Sequence, residues 1–147
     1  MKSMTRPIPM LIWGLILFCI VGICLALGRA SGANVELGPS VQFSEEELRG
    51  AVHCVKRDFR VRFTGGELLQ LRYDEALSDQ AVDDYLARTE DGDADAAEGN
   101  IIALFADFKT GERTSGGLNP NAVYRGFGYM LARSDADGKW EIIETGW

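Results

Sequence analysis

The sequence predicts an α+β fold: a curved four-stranded antiparallel sheet packed on two helices, preceded by one N-terminal transmembrane helix. Three observations carry that expectation. An uncharged apolar run occupies Ile8 to Leu27, a strongly capped amphipathic helix begins after Ser44, and three apolar, aromatic runs fill the C-terminal half between turn-forming separators. The expected organisation is an anchor over 1–30, a Gly- and Pro-containing linker over 31–42 and a single domain over 43–147.

The apolar run, IPMLIWGLILFCIVGICLAL, is about twenty residues long, and at ~1.5 Å per residue a helix of that length crosses the ~30 Å bilayer core. A cleaved signal is the competing reading, with Ser31-Gly32-Ala33 as its cleavage site and secretion as its outcome. Signal peptides, however, carry shorter apolar stretches of roughly 7–15 residues. Lys2 and Arg6 precede the run, and only Arg29 follows it closely. The positive-inside rule therefore places the C-terminal domain outside the cytoplasm of a single-pass protein in the cell membrane. A lipidation signal is disfavoured, because Phe18 and Ile23 precede Cys19 and Cys24 where a small residue is needed.

Three of the 15 basic residues, Lys2, Arg6 and Arg29, lie before Ser31, and none of the 22 acidic residues does. The rest of the chain thus carries 12 against 22, a net of −10. Such a field repels polyanions, so nucleic acid is excluded as a partner, and the net charge disfavours binding of the domain to an acidic membrane surface. Cys54 is the one thiol beyond the apolar run; it can form no disulfide within the domain, and burial as a small apolar residue is the expected role.

In the domain, Ser44 with Glu47 three residues on forms a capping box, and Phe43 can staple onto Leu48. A helix starting at Glu45 would bury Leu48, Ala51, Val52, Val55 and Phe59. His53, the single histidine, falls among Arg49, Lys56, Arg57 and Arg60 on the opposite side and reads as a surface residue. Thr64-Gly65-Gly66 breaks the chain, and Glu67 to Tyr73 alternates as a half-buried strand with Leu69, Leu71 and Tyr73 inward. Ser78 is the expected cap of a second helix over Asp79 to Ala87, buried through Val82, Tyr85 and Leu86.

Asp91, Asp93 and Asp95 match the first three ligand positions of an EF-hand loop. Ala96 stands where the turn glycine belongs and Ile102 where the bidentate glutamate belongs, so a solvated acidic loop without metal is the expectation. The runs Ile101–Phe108, Tyr124–Arg133 and Trp140–Trp147 read as strands, the last two joined as an antiparallel hairpin. Strict alternation would put Gly126 and Gly128 on one face with Tyr124, Met130 and Ala132, and Phe127, Tyr129 and Leu131 on the other.

The segments FSEEELRGAVHCVKRDF, LLQLRYDE, IIALFADF, LNPNAVYRGFGYMLAR and DGKWEIIETGW resemble, in that order, small extracytoplasmic bacterial domains of unknown function with an NTF2-like, cystatin-like fold. Asn119-Pro120-Asn121, Gly138-Lys139-Trp140 and the closing Gly146-Trp147 carry the resemblance most specifically. It implies a fold and an extracytoplasmic location but no reaction. Enzymes with this fold place an acid/base carboxylate or histidine beside tyrosine donors, and here Asp107 with Tyr73, Tyr85, Tyr124 and Tyr129 could imitate that set. No nucleophile elbow, phosphate loop or zinc pattern is present, so the expectation is a non-enzymatic protein without cofactor or metal. Tyr73, Phe105, Phe127, Tyr129 and Trp140 are the aromatic residues expected to line a site for a small ligand, a peptide or an envelope protein, with a pocketless interaction module as the alternative.

Overall fold

A computed structural model describes residues 27–89, 99–113 and 117–147. The expected membrane span, apart from Leu27, and the acidic loop with Asp91, Asp93 and Asp95 lie outside the described residues. No helix among those described is long and apolar enough to cross a membrane.

The domain is α+β, with element order β1 (Asn34–Leu37), α1 (Glu45–Arg62), β2 (Glu67–Tyr73), α2 (Glu75–Arg88), β3 (Ile101–Lys109), β4 (Val123–Ala132) and β5 (Glu141–Thr145). The five strands form one mixed sheet in the order β1-β2-β3-β4-β5, not strongly curled. A four-stranded antiparallel sheet was the expectation. The extra strand comes from the presumed linker, where Asn34–Leu37 pairs parallel to Gln70–Tyr73. At four residues its alternation is too short to register in the sequence. What holds it is the preceding chain, with the Arg29 amide donating to Gly66 and the Leu68 amide donating to Arg29.

The capping box at α1 forms as expected: the Glu47 amide donates to Ser44 Oγ, and the Ser44 amide donates to the Glu47 carboxylate. The helix buries Leu48, Ala51, Val52, Cys54, Val55 and Phe59. The second helix begins earlier than its expected Ser78 cap, because the Asp74 carboxylate takes the Leu77 amide and Glu75-Ala76-Leu77 are good helix formers. Ser78 is instead buried inside the helix, while Val82, Tyr85 and Leu86 are only half covered.

Three register shifts redistribute the strand faces, the one against β5 falling between Met130 and Leu131, where Ile143 is the extra residue. Between Leu68 and Gln70 the register against β3 shifts, which turns Leu68 into the core and leaves Leu69 partly exposed. Between Ala106 and Phe108 the register against β4 also shifts, so that Arg125 and Gly126 together oppose Asp107. Gly126 sits at φ +64°, a conformation that costs a glycine little. As a result Tyr124 lies on the face of Phe127, stacked on Phe108 at 5.5 Å, and not with Gly128 and Met130 as simple alternation implied.

The helices cover opposite faces. Phe59, Phe63, Phe108, Phe127 and Tyr129 form a continuous ring cluster with neighbouring centroids 4.6–5.5 Å apart on the α1 face. Met130 pairs with Ala103 and Glu144, so these three share the other face. There α2 runs from Ser78, whose Oγ accepts from the Ala103 amide at 3.0 Å, to Arg88, which pairs with Glu144 at 3.1 Å.

Candidate binding cleft

An open cleft of about 660 Å³ separates the first half of α1 from the chain joining β4 to β5. Its floor is built from residues that bind one another. The Trp140 indole N–H donates to the Glu47 carbonyl at 3.0 Å, with the ring lying against Gly50, where a Cβ would stand 3.3 Å from Trp140 Cδ1. Gly50, unfavourable within a helix, is thereby accounted for by close approach of the indole. The Arg133 side chain is only 4% exposed; its guanidinium lies 4.6 Å from the Trp140 ring centroid and pairs with Glu47 at 2.7 Å. It also donates to the carbonyls of Gly99 and Ala136, which fixes the start of the β4–β5 connection.

Glu47 is the pivot of this arrangement. Its carboxylate accepts from the Ser44 hydroxyl and amide and faces Arg133, and these donors hold its pKa down to about 2. Cys54 donates its thiol to the Trp140 carbonyl at 3.2 Å, and burial pushes the thiol pKa up. A protonated, hydrogen-bonded thiol of this kind is a poor nucleophile. The rim carries Glu46, His53, Arg57, Asp137 and Lys139, all exposed, so both signs of charge and a histidine border the opening.

A second open cleft, of about 610 Å³, lies on the other side of His53 and Arg57, between α1 and residues 27–31. Lys56, Arg60 and Val61 complete its helical wall.

The five aromatic residues expected at a binding site are distributed between structure and cleft. Tyr73 and Tyr129 are buried in the α1-side core, and Phe127 packs against that core. Phe105 pairs with Gly128 and faces the opposite side of the sheet. Trp140 lines the cleft beside α1. Asp107, expected at a strand end, lies in the interior of β3; its Oδ1 accepts from the Gly126 amide at 2.8 Å, and its carboxylate lies 3.5 Å from Arg72 and 3.8 Å from Arg125. The carboxylate pins the bulge, and the intervening sheet separates it from Tyr73, Tyr124 and Tyr129. Among the described residues there is no group of three or more His, Cys, Asp or Glu that could hold a metal ion.

Glu47, Gly50, Arg57 and Arg133 were not singled out as site residues in the sequence. The available signal was Gly50, a glycine interrupting a good amphipathic helix, which foretells a large side chain packed against the backbone. No family model matches the chain, and no curated protein or solved structure is significantly similar to it.

Proposed function

We propose that this chain is a membrane-tethered, extracytoplasmic binding module, without catalytic activity, whose cleft between α1 and the β4–β5 connection takes a segment of another envelope protein. The observation that carries this reading is the division of labour around Trp140. Buried polar groups of the floor satisfy one another, while the rim leaves Glu46, His53, Arg57, Asp137 and Lys139 to solvent. A rigid floor with a rim of mixed charge suits a polar peptide segment better than an apolar small ligand. Membrane attachment is supported by the length of the apolar run and by Lys2 and Arg6 before it. The NTF2-like relationship is supported by the residue motifs and by the helix, strand, helix, three-strand order; the parallel β1 and the weak curl of the sheet count against it.

The test is position-specific photocrosslinking in intact bacterial cells, with spheroplast proteolysis as the topology control. A photoreactive residue replacing Lys139 should give discrete protein adducts, whereas one replacing Val123 should give none, since β4 places Val123 ~30 Å from the cleft end of that strand. Equal adducts at both positions, or none at Lys139, would overturn the cleft. A soluble product beginning at Asn34 would overturn the tether.

A further inference from the structure

We infer that the groove between residues 27–31 and the second half of α1 seats the domain on the anionic phospholipid headgroups of the membrane that holds it; the inference rests on the tethered reading above. The groove gathers Arg29, Lys56, Arg57 and Arg60 around the apolar Leu27, Ala30 and Val61, and Val61 is 72% exposed. Cations surrounding an exposed aliphatic side chain are what an interfacial surface requires: charge for phosphates and an apolar group for the acyl boundary. None of the ion pairs among the described residues uses Arg29, Lys56, Arg57 or Arg60. The acid on the same helical stretch, Asp58, is taken by Arg62 at 3.0 Å.

Position gives the groove its occupant. Leu27 ends the apolar run, and the very next residue is fixed to α1, the Gly28 amide donating to the Arg60 carbonyl at 2.9 Å. A Cβ on Gly28 would stand 2.6 Å from the Phe63 carbonyl oxygen, so this contact depends on glycine. The chain therefore reaches the domain with no free spacer, and the face that first meets the bilayer is the one bearing Lys56, Arg57, Arg60 and Val61. Beyond Ser31 the net charge is −10, so the average field of the domain opposes an anionic surface and a locally cationic face is needed to meet one. Net charge alone disfavoured this contact in the sequence; the local clustering of cations at the point of attachment reverses the sign where it matters.

The full chain, reconstituted in nanodiscs containing headgroup-spin-labelled lipid, tests this directly. A fluorescent amino acid at Val61 should be quenched about threefold more in phosphatidylglycerol-containing discs than in pure phosphatidylcholine, and one at Val123 equally in both. Combining Lys56→Glu, at a half-buried position, with Arg60→Glu, at an exposed one, should abolish the difference at Val61, as should high salt. Equal quenching at Val61 in both lipids, or a difference that survives the charge reversals, would overturn the docked orientation while leaving the tether intact. Failure of the chain to enter discs at all would overturn the tether, and the docking with it. Insertion without lipid-dependent quenching, but with Val61 emission altered by an added acidic peptide, would assign the groove to protein and so reject the phospholipid surface.

Discussion

The two faces of the sheet are held by different physics. On the α1 side the contacts are apolar and aromatic: Phe59, Phe63, Phe108, Phe127 and Tyr129 touch in sequence, and Leu48, Val55, Leu71 and Leu104 fill in around them. On the α2 side the buried surface is smaller, Ala103 and Met130, and the attachments are directional: Ser78 to the Ala103 amide, Arg88 to Glu144, Asp107 to the Gly126 amide. Further along that face the Trp147 ring lies directly over Gly128, where any Cβ would collide with it. Area removed from water supplies stability without direction, whereas single hydrogen bonds supply direction with little net stability. The first face should thus decide whether the domain folds, and the second which register the strands and α2 adopt.

The largest expected effect follows from the first face. Phe59→Ala removes a ring in contact with both Phe63 and Phe108 and should cost about 3–5 kcal/mol in denaturant unfolding of the detergent-solubilised chain. That is a large part of the stability of a domain this size, so the variant should melt far below the parent or fail to accumulate. A loss below about 1 kcal/mol would show that the cluster can collapse around the gap, and the contrast between the faces would fail.

This face was also the more legible one. The burial of Leu48, Ala51, Val52, Val55 and Phe59 follows from helical period, and the capping box fixes the start of α1 within its own four residues. What sequence could not place depends on partners distant in the chain. The bulges at Leu68–Gln70 and at Asp107 exist because particular strands meet, and alternation within one strand cannot disclose them. Ser78 and Asp74 are both credible caps locally; Asp74 takes the cap by accepting from the Leu77 amide, and Ser78 accepts instead from the distant Ala103 amide beyond the end of β2. Of the cleft, Gly138-Lys139-Trp140 was visible as a motif, but Arg133 and Glu47 come together only across 86 residues of chain.

An intermediate effect is expected from the second face. Ser78→Ala fills nearly the same volume and raises helix propensity, so packing and α2 itself should be preserved. The cost comes from the Ala103 amide, which loses its 3.0 Å partner where β2 has ended and no strand replaces it. An unsatisfied buried donor costs about 1–3 kcal/mol, and hydrogen exchange at Ala103 should quicken by more than the global loss of stability explains. Unchanged stability and unchanged exchange would mean that α2 is held by its apolar side alone.

The smallest effect separates the two kinds of contact within a single residue. Tyr129 is fully buried on the α1 side, and its hydroxyl has no hydrogen-bond partner among the described residues. Burial pushes its pKa well up, and the nearby Asp58 carboxylate adds to the shift, so the phenol stays neutral throughout the accessible pH range. Removing a buried polar atom that makes no bond removes a desolvation penalty along with a few dispersion contacts. Tyr129→Phe should therefore leave unfolding stability within about 1 kcal/mol of the parent, with any change favouring the variant. Ring packing against Phe127 would be retained, since only the hydroxyl is deleted. A loss of more than about 2 kcal/mol would show that the hydroxyl is satisfied in the folded protein, and that the α1 face, too, contains a directional contact.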